Sequence, residues 1–392
     1  MMDFKERILT TFNHEEPDRV PVMSLFMEPA NYASYSGKSS TGYLNLLKKP
    51  ILKDFFRLFM NWSYYYTKEV IKAYKKIIQT SVELGFDANW LMYVLFKIKK
   101  EKGHPYDVIW WDVWGRIWEI KLDPFGNPEP QYISGYITSE EKFDEWITEK
   151  EGLISQYIKY AKKFHLKLSK EFEDKIYVVP FAAPGIFENT WQPIGFINFS
   201  KFMYEKPRFI EKVVNFQTDL YLRLIDVVCE TGKEIILIGD DLGQKTGPLI
   251  NPKLLERFFG SAYKRISDHI HKKGRKVVFH SCGNLYKLLD KFIDWGFDGL
   301  ITLEPTASMD LKRVRELVGH DLVLIGNLDV SDLLVRGSKK EIEAAVKKAI
   351  RDAAPSGGYI LSPSHSHSEV DPNRLKWMIE AAHKFGEYPL DL

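Results

Sequence analysis

From residue 176 onward the chain repeats one pattern, which restricts its fold more than any other feature. Short apolar runs suited to strands occur at 176–181, 234–239, 276–280, 297–303, 321–326 and 358–361. Helical patterns of barrel-helix length separate them, as at 254–273 and 339–353. Two earlier apolar segments, near Val20 and Asp87, bring the count to eight. Eight strands alternating with helices point to the α/β class, a (β/α)8 TIM barrel, rather than an open doubly wound sheet. No GxGxxG follows the first strand, which further weakens a dinucleotide-binding sheet. The 392 residues read as one domain, 1–392, with an N-terminal helical and hairpin elaboration over about 1–150.

That elaboration has its own signals. A first helix is expected over 3–12, and a helical, aromatic stretch over 39–78. A strand at 85–95 follows a helix ending at Gly85. Residues 107–121, DVIWWDVWGRIWEIK, alternate about Gly115 as a hairpin does. Their tryptophans, notably Trp110, Trp111, Trp114 and Trp118, either line a substrate pocket or pack the hairpin. Trp110 and Trp114 are taken here as substrate-facing. A long helix is expected from Ser139 to Phe172.

Composition excludes several functions. A net charge of +2, with no long basic run, gives no electrostatic case for nucleic acid. The opening MMDFKERILTTF is amphipathic and lacks the apolar core of a signal peptide. The segment 51–66 is interrupted by Lys53, Asp54 and Arg57, so it does not span a membrane, and no membrane partner is expected. Its dense aromatics still leave room for an interface. Two cysteines in such a length argue for a reducing cytoplasm, with Cys229 on a helical apolar pattern and read as core. The oligomeric state, a homodimer included, is left open.

Polar residues gather where the strands end. These positions hold Glu188, Asp240, Asp241, His280, Cys282, Glu304, Asn327, Asp329, Ser364, His365, Ser366 and His367. In RKVVFHSCGN, a strand ending at a glycine would project His280 and Cys282 to the same side. An imidazole beside a thiol is half of a zinc site; the plainer alternative is a small core cysteine beside an unrelated histidine. His365 after the eighth strand is favoured as third ligand, with His367 as its competitor. Three ligands leave a fourth position for water or substrate. Asp241 and Glu304 would fill that position or act catalytically, unless each only bonds a neighbouring backbone group or histidine. Glu188 and Asn327 are expected to face substrate, although a cap or a solvated loop accounts equally well for an asparagine.

Several consecutive motifs carry a resemblance that covers nearly the whole chain. HSCGNL, LEP followed by MDL, IGNLD, and PSGGYILSPSHS followed by DPNRLKWM resemble the uroporphyrinogen decarboxylase superfamily. GDDLG, GIFENTW and the opening EPDRVPV fit the same pattern. The resemblance implies a (β/α)8 barrel. The stretch 23–31, MSLFMEPAN, lacks the arginine-rich motif of the true decarboxylases. Trp90, Leu91, Met92 and Tyr93 stand where those enzymes have an aspartate. A polycarboxylate substrate would therefore meet no cationic clamp.

The chain looks more like the cobamide-dependent methyltransferase branch. There an HxC pair after the fifth strand and a cysteine after the eighth hold zinc. His280 and Cys282 match the pair, and His365 stands in place of the cysteine. Losing one thiolate would leave the zinc more electrophilic. The resemblance thus implies zinc as a cofactor and methyl transfer from a small, O-methylated substrate to the cobalt of a corrinoid. That corrinoid would ride on a partner protein, because no DxHxxG motif is present. The rival functions are a methylcobamide:thiol methyltransferase, a metal-free decarboxylase, and an inactive barrel that binds a partner through its aromatic N-terminal segment.

Overall fold

The computed structural model describes residues 2–25, 50–122, 128–366 and 369–391. Eight strands form one sheet: β1 (Met23–Ser24), β2 (Ala88–Met92), β3 (Tyr177–Ala182), β4 (Ile235–Gly239), β5 (Lys276–Ser281), β6 (Gly299–Thr302), β7 (Val323–Leu328) and β8 (Tyr359–Pro363). They neighbour one another in sequence order, all parallel. A parallel bridge from Val22 to Leu361 joins β8 back to β1, and the Leu361 amide donates to the Pro21 carbonyl at 2.9 Å. The sheet is therefore a (β/α)8 barrel, as the alternation predicts.

Alternate side chains fill the barrel lumen. Tyr177, Val179 and Phe181 of β3 and Val323 and Ile325 of β7 point inward together. Helix α1 (Phe4–Phe12) starts on Asp3, whose carboxylate accepts from the Glu6 amide at 2.8 Å. It closes the N-terminal end of the lumen with Ile8 and Phe12. Just outside this plug lies a buried ion cluster. Asp87 accepts from Arg7 Nη1 at 2.7 Å, from Arg19 Nη1 and Nη2 at 2.8 Å, and from the Val22 amide at 2.9 Å. One carboxylate thus joins α1, the entry to β1 and the entry to β2.

Helices α2 (Pro50–Asn61) and α3 (Ser63–Leu84) precede β2, and α3 ends on Gly85 at φ 94°. The strand expected over 85–95 occupies only Ala88–Met92. The hairpin expected at 107–121 is the centre of a larger antiparallel side sheet, Phe96–Lys100, Val108–Asp112, Arg116–Leu122 and Pro128–Gly135. Its outer strands read as FKIKK and PEPQYISG, too polar or proline-rich to signal a strand alone. Helix α4 (Glu140–Glu171) runs from Ser139 to Phe172 as predicted. The helix expected at 254–273 is broken by a π-helical turn at Glu256–Gly260.

Within α4 the fully buried His165 has no hydrogen-bond partner on either ring nitrogen among the described residues. Burial pushes its imidazole down to about 3, so the folded protein holds it neutral. Folded-state protonation is suppressed while the unfolded chain takes a proton near pH 6.5. Stability from this residue is therefore complete above that pH and declines as pH falls toward 3. At pH 5 the loss should be about 2 kcal/mol relative to pH 8. Urea unfolding at both pH values checks this, because His165→Leu should lack that part of the acid sensitivity.

Candidate metal centre

The C-terminal ends of β4, β5, β6 and β8 bring five donor side chains together. In each of two overlapping groups, Asp241–His280–Cys282 and Cys282–Glu304–His365, one donor atom per residue lies within 4.8 Å of the others. Cys282 belongs to both. Its Sγ is 3.8 Å from His280 Nε2, which is 3.7 Å from Asp241 Oδ1. Zinc bonds of about 2.0–2.1 Å to nitrogen and about 2.3 Å to sulfur place tetrahedral donors roughly 3.5 Å apart, close to this pair.

Local chemistry fixes the loop that carries the pair. Gly283 adopts φ 87°, and a Cβ there would stand 2.4 Å from the Gly243 carbonyl carbon. Only glycine lets the two loops approach so closely. Asp241 Oδ1 accepts from the Cys282 amide at 3.1 Å, and Glu304 Oε2 from the Gly283 amide at 3.0 Å. Each carboxylate therefore makes the backbone bond that its plainer reading required, and each also lies among the donors. Glu304 follows Thr302 and Leu303, both left-handed at φ 97° and 51°. Such non-glycine conformations cost about 1–3 kcal/mol each. Thr302 Oγ1, donating to the Ser281 carbonyl at 2.6 Å, helps to hold them.

The electrostatics suit a cation. Burial pushes the His280 imidazole down to about 4, against the pull of Asp241, so it is neutral at pH 7 with a lone pair to offer. Burial, reinforced by Asp241 and Glu304, pushes the Cys282 thiol well above its ordinary value. A bound metal would have to displace that proton. His365 is exposed, and its Nδ1 lies 2.6 Å from the Ser366 carbonyl. A carbonyl only accepts, so Nδ1 carries the proton and Nε2 is the available donor. Two imidazoles, a thiol and carboxylates form a donor set that fits zinc. His367, the competing ligand, lies outside the described residues.

The remaining site residues fall in different places. Glu188 opens α5 (Glu188–Ile194) beside the donors, and burial, with Asp241 and Asp240 adding, raises its carboxyl to about 8. Gln192 Nε2 donates to Glu188 Oε1 at 2.9 Å, and Arg116 Nη1 donates to Gln192 Oε1 at 3.0 Å. Arg116 is itself clamped on Asp112, so the side sheet steadies Glu188. Sequence reading missed this chain, although Glu188 and Gln192 share the i,i+4 spacing of one helix face. Asp240 is buried and accepts from the Phe187 and Glu188 amides at 2.8 Å and from the Tyr263 hydroxyl at 2.7 Å. Three donors make it an anchor for the start of α5.

Asn327 Nδ2 donates to the Leu303 and Met309 carbonyls, at 2.9 and 3.1 Å, and so ties this half-buried residue to the Glu304 loop. The tryptophans need correction. Trp114 is fully buried against Tyr157, and Trp110 packs with Phe56, Ile98, Val108 and Ile120 under the side sheet. Trp110 is thus on the buried face of the side sheet, and Trp114, in the turn between two of its strands, enters the main core. The aromatic neighbours of His280 are instead Trp90 and Phe181, whose rings stack at 4.7 Å. Period-2 alternation along β2 and β3 was their sequence signal.

Comparison with known proteins adds three findings. Residues 125–385 match the profile of the family described as uroporphyrinogen decarboxylase (URO-D). Among curated relatives, the uroporphyrinogen decarboxylase of Myxococcus xanthus is 26% identical over 223 residues, covering 55% of this chain and 61% of that protein. That of Mannheimia succiniciproducens is 24% identical over 242 residues, covering 59% and 66%. The chain thus spans less than two thirds of the length of these relatives. A solved structure described as a methyltransferase from Methanosarcina mazei aligns over 98% of this chain and 99% of its own, with a TM-score of 0.67 at 18% identity. That likeness is one of fold.

Proposed function

The chain belongs to the uroporphyrinogen decarboxylase family, and from that premise we propose that it is a methyltransferase passing a methyl group from a small methylated substrate to a corrinoid on a partner protein. The observation that carries this reading is that Cys282 lies within 4.8 Å of donor atoms of Asp241 and His280 in one group and of Glu304 and His365 in another, all at one end of the barrel. In this reading His280, Cys282 and His365 hold zinc. Zinc there supplies Lewis acidity toward a substrate oxygen, which suits a methyl ether better than a thiol. Asp241 and Glu304 fix the Cys282–Gly283 backbone and orient whatever occupies the open position. Glu188, which keeps its proton to about pH 8, offers a hydrogen bond to the substrate. A decarboxylase reading is weaker, because Trp90–Tyr93 lack the expected carboxylate and the stretch 23–31 lacks the arginine-rich motif.

Direction is the test. With free reduced cobalamin standing in for the carrier, the zinc-loaded protein should demethylate methyl ethers, followed by the change in corrinoid absorbance. Thiol-dependent consumption of methylcobalamin, with no ether cleaved, would reverse the direction. Release of carbon dioxide from a small acid by metal-free protein would replace the reading with a decarboxylase.

A further inference from the structure

Helix α2 is apolar on two faces, and the described residues pack against only one. Its inner face, with Phe56 and Met60, packs on the side sheet. Asn61 fastens it there: Nδ2 donates to the Ile98 carbonyl at 2.9 Å and Oδ1 accepts from the Ile98 amide at 2.7 Å. Lys97 Nζ donates to the Asn61 carbonyl at 2.6 Å and completes the helix end. With the inner face anchored, the outer face is held outward. Phe55, Leu58 and Phe59 lie along it at i, i+3 and i+4, and Trp62, just past the helix end, continues the row. Phe55, Leu58 and Trp62 are 60, 63 and 58% exposed. Rings continue the stripe onto α3, with Trp62 on Tyr65 at 4.5 Å and Phe59 on Tyr65 at 4.8 Å. The exposed apolar area is about 500 Å², at the upper end for one patch on a soluble chain.

The charge around the stripe identifies an occupant. Lys163 Nζ sits 4.7 Å above the Tyr64 ring. Lys159 and Lys167 lie one turn to either side on α4, and Lys68 lies one turn beyond Tyr64 on α3. All four lysines are exposed, and none has an acidic partner among the described residues. Of the acids beside the stripe in sequence, Asp54 is paired to Lys100 at 2.7 Å and Arg57 at 3.8 Å, and Glu69 to Lys72 at 3.8 Å. A second copy would set one lysine rim against another. Protein interfaces are depleted in lysine, whereas helices lying on anionic membranes combine aromatic faces with flanking lysines.

We propose that this stripe docks the protein on an anionic lipid surface, the aromatic face entering the headgroup boundary and the lysines meeting the phosphates. This departs from the expectation from the sequence that there is no membrane partner, and concerns the surface only: no described helix is long and apolar enough to cross a membrane. The site lies outside the donor cluster and stands whatever reaction the barrel catalyses.

Sedimentation with vesicles tests it. Full-length protein should partition at least about tenfold more strongly onto phosphatidylglycerol than onto phosphatidylcholine vesicles, and high salt should weaken the difference. Leu58→Ser/Trp62→Ser should lose binding to both lipids, and Lys163→Glu/Lys167→Glu should lose the preference for the anionic one. These positions are exposed, and circular dichroism confirms that the variants fold. No wild-type binding, or equal binding to both vesicles, would overturn the proposal. A wild-type dimer by light scattering that the stripe variant dissociates would assign the face to a second copy instead.

Discussion

Wild-type protein purified with zinc in the medium is expected to carry about one zinc per chain, and Cys282→Ala and His280→Ala are expected to lose it. Replacing a residue that only supports a ligand typically weakens metal binding by about 10–100-fold, so loss of a ligand itself should exceed about 100-fold. Cys282 should be the more damaging, because it belongs to both overlapping donor groups. His365→Ala should release metal while His367→Ala retains it; the reverse would move the third ligand two residues along the loop. Elemental analysis of the four variants against wild type decides this, and equal zinc in all five proteins would remove the site. Circular dichroism should show the metal-free variants still folded, since the barrel has its own core. A collapse of secondary structure without zinc would make the metal structural and argue against an open catalytic position.

The largest single effect on stability is expected at the opposite end of the barrel. Asp87→Ala would leave Arg7 and Arg19, whose side chains are 5 and 18% exposed, without their shared carboxylate. It would also remove the acceptor of the Val22 amide, next to the bridge that closes β8 onto β1. Breaking one partner of a buried ion cluster costs about 3–5 kcal/mol, because the remaining charges lose solvation and partner together. Urea titration should show that loss as a lower midpoint, with zinc content per folded chain unchanged. Arg7→Ala in the Asp87→Ala background should cost less than in wild type, since Arg7, although still paired with Asp18 at 2.7 Å, has already lost one of its two carboxylates. Additive losses would mean that the cluster does not act as a unit.

The sequence determined the features that depend on local pattern. Strand and helix periods along 176–361 set the barrel, since buried parallel strands need unbroken apolar runs and their crossovers need helices. The i,i+2 spacing of His280 and Cys282 before a glycine put both donors on one strand end, and His365 after the last strand could be named with them. Caps such as Asp3 and Ser139 marked helix starts because capping is a contact within one turn.

What only the tertiary structure decided are contacts between segments far apart in the chain. The amide of Asn327 turns to Leu303 and Met309, 24 and 18 residues away, and no local rule predicts either contact. Trp110 and Trp114 carry the composition of a pocket and of a core equally well; the packing of the side sheet settles which. The raised carboxyl of Glu188 follows from desolvation and from Asp240 and Asp241, which are neighbours only once β3 and β4 pair. The outer face of α2 was visible as apolar from the first reading, but its exposure depends on what the barrel leaves uncovered. A side chain's type and spacing are local and survive in the sequence. Its burial, its partners and the charge it can hold are properties of the assembled surroundings, and folding alone supplies them.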